Sequence, residues 1–212
     1  MSIFLDTADV EQAKEAKGSG WVQGITTNPI LLANSNPSVA DTLRLLTEIN
    51  MGLLFYQLIA TSKEEMLEEA QFAKEIAGEQ LVLKIPPTKL GFQIIRYLPQ
   101  EIPCCITAVY SVAQALVARE SGVRYIAVYV SRVTKLSGDG LSLITEISSV
   151  LQGSRTQLLA ASLKSPVEAS SAILSGADHI TLPFDVLSGL TYHEHSEDAV
   201  KDFNANGSGL QM

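Results

Sequence analysis

Short apolar runs alternate with amphipathic segments along the whole chain. The runs are SIFLD (2–6), WVQGI (21–25), LLFYQLIA (53–60) and QLVLKIP (80–86), followed by CCITAV (104–109), YIAVYVS (125–131), QLLAAS (157–162) and HITLPF (179–184). They are rich in Val, Ile, Leu and Tyr, and several are apolar at consecutive positions. That pattern predicts parallel strands covered on both faces by helices. Amphipathic segments at 8–18, 37–49, 62–78, 111–122, 140–153 and 165–176 predict the helices. The clearest, 62–78, carries Met66, Leu67, Ala70, Phe72, Ala73, Ile76 and Ala77 mainly on one side. It opens on a capping-box pair, Ser62 and Glu65, and stops at Gly78. The strand starts are spaced by about one βα unit. Eight such units over 212 residues predict one domain: a (β/α)8 TIM barrel, with residues 193–212 as a short C-terminal helical tail with loose last residues. An open doubly wound sheet is the alternative, although no glycine-rich dinucleotide fingerprint opens the first helix.

Composition narrows the function classes. The chain has 15 Lys and Arg against 23 Asp and Glu, a net charge of −8, and only 18% charged residues. An acidic chain without a basic block is not built to bind nucleic acid, which needs clustered cations. No apolar run is long enough to span a bilayer. The N-terminus has no basic stretch and reaches Asp6 early, so a cytoplasmic protein is expected. Cys104 and Cys105 are adjacent, so on a strand they point to opposite faces and do not pair. The histidines, His179, His193 and His195, have no ligand spacing, and no metal site is expected.

In a barrel of this kind the active site lies at the C-terminal ends of the strands. Polar residues fall there: Asp6, then Thr26, Thr27 and Asn28, then Gln57, Lys84, Thr107, Tyr129 with Arg132, and Ser162 with Lys164. Lys84 interrupts the run LVLKIP. An ammonium in a barrel interior is costly unless neutralised or paired, and a free amine can attack a carbonyl. The structural alternative is a lysine that snorkels at a strand end. Asp6 suits an acid or base, or an N-cap for the first helix. TTNP (26–29) signals a turn, with Pro29 placed to start a helix. Gln57 is either a ligand contact or a satisfied core amide. Tyr129 and Arg132 can supply a phenol and a phosphate anchor. Ser162 can donate to phosphate or cap the next helix.

Taken together, FLDTAD, GITTNP, LKIPPT, TAVYS, YVSR and LAASLKS, in this order, resemble the small transaldolase-like class I aldolases over residues 2 to about 190. The resemblance implies a Schiff-base lysine on the fourth strand, at Lys84. It is closest to the fructose-6-phosphate aldolase branch, because Gln57 and Tyr129 stand where transaldolases usually carry Glu and Phe. It further implies cleavage of fructose 6-phosphate to dihydroxyacetone and glyceraldehyde 3-phosphate. Tyr129 would move protons through a water held with Gln57 and Thr107, and Asp6 would be oriented towards the Schiff base. Asp6 and Asn28, with Thr26 beside them, would bind donor hydroxyls, and Arg132 and Ser162 the phosphate. No cofactor is implied, the partners are small sugar-phosphate and aldehyde substrates, and the assembly is a homo-oligomer, a pentamer or decamer. The alternative activity is transfer of a dihydroxyacetone unit between sugar phosphates. A different class is a non-catalytic sugar-phosphate-binding barrel. Pro87, Lys135 and Lys164 depart from the family pattern, the last adding a cation beside the implied phosphate site.

Overall fold

The computed structural model describes residues 1–35 and 38–210. Eight parallel strands close into a barrel in chain order. They are β1 (Ser2–Asp6), β2 (Val22–Thr26), β3 (Leu53–Gln57) and β4 (Leu81–Ile85), then β5 (Cys104–Val109), β6 (Tyr125–Tyr129), β7 (Gln157–Ala161) and β8 (His179–Leu182). Pairing of Ile3 with Ile180 closes the ring between β1 and β8. The helices are α1 (Val10–Gly18), α2 (Pro29–Ala33), α3 (Val39–Ile49), α4 (Lys63–Ala77), α5 (Lys89–Ile94) and α6 (Val112–Glu120). They continue with α7 (Val130–Ser137), α8 (Gly140–Leu151), α9 (Pro166–Leu174), α10 (Phe184–Gly189) and α11 (Glu194–Asn206). The expected barrel is therefore present, with its C-terminal helix.

Period two divides the strand residues between two cores. Outward side chains such as Leu5, Leu54, Leu83, Ile106 and Leu158 pack against the helices. Inward, Phe4, Phe55, Val82, Cys105, Tyr125, Ala127 and Leu159 fill the barrel. Phe4 and Phe55 meet edge-on at 5.2 Å, and Phe55 and Tyr125 at 5.4 Å. Cys104 joins the outer core and Cys105 the inner one, as alternation requires. Both are unpaired thiols, pushed up to about 12 by burial, so they stay protonated.

Several boundaries differ from the sequence expectation for local reasons. The third run leaves the sheet after Gln57, because the Glu69 carboxylate on α4 captures the Ile59 and Ala60 amides and the Tyr56 hydroxyl. The sixth run ends at Tyr129, and α7 starts at once. Arg132 therefore sits on a helix rather than closing the strand, and Lys135 lies on the same helix. Phe72 is exposed on α4, where Met66, Ala70, Ala73 and Ala77 make the buried stripe. The start of the expected helix at Pro37 lies outside the described residues, as do the last two of the tail; α3 is capped by Ser38. Among the described residues no helix is long and apolar enough to cross a membrane.

Candidate active site

The inward positions next above the inner core, at the C-terminal end of the barrel, are Asp6, Thr26, Gln57, Lys84, Thr107 and Tyr129, one from each of β1 to β6. All but Thr26, which follows Gly24, lie two residues beyond an inward side chain of the layer below, as Lys84 does beyond Val82 and Thr107 beyond Cys105. One strand pattern thus explains both the apolar floor and the polar ring above it. The ring opens into a cavity of about 510 Å³, lined among others by Asp6, Thr26, Asn28, Gln57, Lys84, Tyr129, Arg132, Ser162, Lys164 and Thr181.

Lys84 is 5% exposed, although it carries the longest polar side chain of the ring. Its Nζ donates to the Thr27 carbonyl at 2.6 Å. Among the described residues no carboxylate stands within ion-pair distance of it. An amine held this way is anchored but not neutralised by an acid, and it faces the cavity. Gln57 is its register partner on β3 and Cys105 on β5.

Asp6 does not cap the first helix; Asp9 does, accepting from the Glu11 and Gln12 amides. Asp6 instead accepts from Thr26 Oγ1 at 2.7 Å, and Thr26 Oγ1 lies 2.6 Å from Thr181 Oγ1. A hydroxyl has one proton, so Thr181 donates to Thr26 and Thr26 to Asp6. Asn28 caps α2, its Oδ1 accepting from Ile30 and Leu31. The Nδ2 amide is then the group it can offer a bound hydroxyl. Thr27 is fully buried and its hydroxyl donates to the Phe55 carbonyl, a structural role.

Tyr129 OH lies 3.2 Å from Thr107 Oγ1, and the Tyr129 ring meets Tyr110 edge-on. Thr107 is fully buried and meets the site through this phenol rather than by lining the cavity. The Arg132 guanidinium stacks 4.7 Å from the Tyr129 ring centroid, a cation–π contact that turns it towards the cavity. Ser162 does not cap α9, which is capped by Ser165. Ser162, just past β7, has φ +60°, and Ala108, near the end of β5 two strands away, has φ +53°. Left-handed backbone at residues with a Cβ costs about 1–3 kcal/mol and concentrates at functional sites. Lys164 joins the cavity wall, whereas Lys135 and Pro87 do not.

The cavity therefore gathers every expected site residue except Thr27, which is structural, and Thr107, which it reaches at one remove through Tyr129. Sequence reading missed Thr181, although it stands two residues after inward His179 on β8, so period two marks it. Glu168 is not singled out either, since its capping-box spacing from Ser165 marks it only as a helix-start residue. Among the described residues no group of three or more His, Cys, Asp or Glu side chains is placed to hold a metal ion.

Residues 3–209 match the family described as Transaldolase/Fructose-6-phosphate aldolase. A probable transaldolase of Methanococcus vannielii is 35% identical over 209 residues, covering 97% of this chain and 97% of that protein. One of Hydrogenobaculum sp. is 32% identical over 206 residues, covering 96% and 94%. Among solved structures, a thiamine phosphate pyrophosphorylase from Pyrococcus furiosus superposes with a TM-score of 0.67 at 16% identity, over 96% of this chain and 94% of that one. At that identity the likeness concerns the fold alone.

Proposed function

The chain belongs to the transaldolase/fructose-6-phosphate aldolase family, and from that premise we propose that it is a Schiff-base aldolase cleaving fructose 6-phosphate reversibly to dihydroxyacetone and glyceraldehyde 3-phosphate. The observation that carries this reading is Lys84: a buried amine, held by one carbonyl, opening into a cavity ringed by hydroxyls, an amide and a carboxylate. Its nitrogen attacks the ketone to give a carbinolamine, which loses water to an iminium. The iminium accepts the electron pair of the C3–C4 bond as the C4 hydroxyl loses its proton. The aldehyde leaves, and the enamine is protonated and hydrolysed to release dihydroxyacetone.

The roles follow from what each side chain can offer. Tyr129, in contact with Thr107, passes protons through a water shared with Gln57. Gln57 has no basic group, so it holds that water rather than deprotonating it. Asp6, its carboxylate already turned by Thr26 and Thr181, faces the Schiff base, and Asn28 binds donor hydroxyls. Arg132 and Ser162, with Lys164 beside them, hold the phosphate. The same reading includes a homo-oligomer, a pentamer or decamer.

A second reading is transfer of the dihydroxyacetone unit to erythrose 4-phosphate, favoured by relatives named probable transaldolase. Product analysis with fructose 6-phosphate separates the two. The lyase releases dihydroxyacetone without an acceptor; turnover that appears only on adding erythrose 4-phosphate overturns the lyase reading.

A further inference from the structure

The groups proposed to hold the phosphate sit on two separate segments. Arg132 is in the first turn of α7, and Ser162 and Lys164 are in the loop between β7 and α9. One side chain joins these segments. The Glu168 Oε2 accepts from Ser131 Oγ at 2.7 Å and from the Lys164 amide at 2.7 Å. Ser131 is buried and is the chain neighbour of Arg132. Lys164 follows Ser162 by two residues, across the turn that begins with the left-handed backbone of Ser162.

The arrangement departs from ordinary helix capping. Ser165 and Glu168 have capping-box spacing, and Ser165 Oγ accepts from the Glu168 amide at 3.1 Å. In such a box the acid returns to the amide of the cap residue itself. Here the carboxylate passes over Ser165, takes the Lys164 amide instead, and reaches across to α7.

We propose that Glu168 is a positioning residue for the phosphate corner: it sets the spacing between Arg132 on α7 and Ser162 with Lys164 on the β7–α9 loop. This rests on the phosphate role given to those residues above. Geometry and charge predict opposite signs here. By its field alone a carboxylate near the corner weakens anion binding, so removing it would tighten the phosphate. As a strut it holds two segments in register, so removing it loosens them.

The test compares glyceraldehyde 3-phosphate with glyceraldehyde as acceptors for dihydroxyacetone, in wild type, Glu168→Ala, Glu168→Gln and Ser131→Ala, each checked for folding by its melting curve. Glu168→Ala should raise KM for the phosphorylated acceptor about tenfold, as expected for a small displacement of a binding group. KM and kcat for glyceraldehyde should stay within about twofold by the same argument. Glu168→Gln keeps an oxygen that can accept both bonds and should stay close to wild type. Ser131→Ala should shift KM in the same direction by less. A lower KM for the phosphorylated acceptor in both Glu168 variants would overturn the proposal in favour of the field. Equal changes for the two acceptors would overturn it in favour of general structural damage. A wild type that does not distinguish the acceptors would overturn the phosphate corner and the proposal with it. A wild-type preference that survives intact in Glu168→Ala overturns the positioning role alone.

Discussion

Lys84 is the nucleophile of the proposed reaction. It is 5% exposed, with the Thr27 carbonyl as its hydrogen-bond partner. Replacing it tests chemistry and stability separately. Lys84→Met should abolish borohydride trapping with fructose 6-phosphate and lower aldol turnover by at least about three orders of magnitude, because the other amine on the cavity, Lys164, is assigned to the phosphate. The neighbouring Cys105 thiol is held protonated, pushed up to about 12 by burial against the opposing effect of Lys84, and lies in the layer below. The fold should survive. Thr27 loses one hydrogen bond, about 1 kcal/mol, but a desolvated ammonium is replaced by a side chain of similar length that needs no partner. Circular dichroism and a melting point near wild type would accompany the loss of activity. A borohydride adduct still formed by Lys84→Met would reassign the nucleophile.

At the scale of elements, what could be read in advance followed from periodicity. Strands covered on both faces read as plain apolar runs, so all eight were visible, and their alternation placed Asp6, Thr26, Gln57, Lys84, Thr107 and Tyr129 at one end. The short helices α2, α5, α7 and α10 are too brief to establish a helical period. They form because a cap or a neighbouring strand end dictates them, as Asn28 and Pro29 do for α2 and Thr88 for α5. The left-handed turn at Ser162 and the strut from Glu168 to Ser131 arise only when distant segments meet, so no local signal announces them. Gly91 shows the same dependence. Within α5 a glycine should be a weakness, and alanine there normally gains about 0.5–1 kcal/mol. A Cβ at Gly91 would stand 2.0 Å from the Pro86 carbonyl oxygen and 3.1 Å from Ile85 Cγ2, on the chain that leaves Lys84. Gly91→Ala should therefore destabilise by about 1–3 kcal/mol through overpacking and slow catalysis by displacing the end of β4. Denaturant melts and kcat measure both. A more stable variant with unchanged kcat would mean that α5 can slide away from the strand.

For the whole molecule, the charge of −8 describes the shell rather than the site, where Lys84, Arg132 and Lys164 gather cations at one cavity. The shell also exposes apolar side chains, among them Leu174 on α9 and Val200 and Phe203 on α11, a helix with no buried residue of its own within the chain. A helix of 13 residues with no buried side chain is marginal in water. Light scattering should therefore find a multiple of the 22.8 kDa chain mass, reduced in Val200→Asp/Phe203→Asp; a monomeric wild type would remove the assembly from the proposal. Stability against pH depends on a different residue, at the closed end of the barrel. His179 is 6% exposed, sits among the rings of Phe4 (5.8 Å) and Tyr125 (5.7 Å), and among the described residues has no hydrogen-bond partner on either ring nitrogen. Burial holds its imidazole below the usual histidine range; Asp178 opposes that, and the N-terminal amine and Arg124 add to it. The unfolded chain therefore binds more protons between the ordinary value, about 6.5, and the folded one. The contribution is complete above about pH 6.5 and is lost as pH falls towards the folded value, with a slope of at most about 1.4 kcal/mol per pH unit. Carboxylates titrate lower, so the interval from pH 7.5 to 5.5 isolates the effect. His179→Phe keeps an aromatic ring in the slot and removes the titration. Its melting temperature should fall clearly less across that interval than wild type does, while equal losses in the two proteins would show that His179 is not the group being protonated.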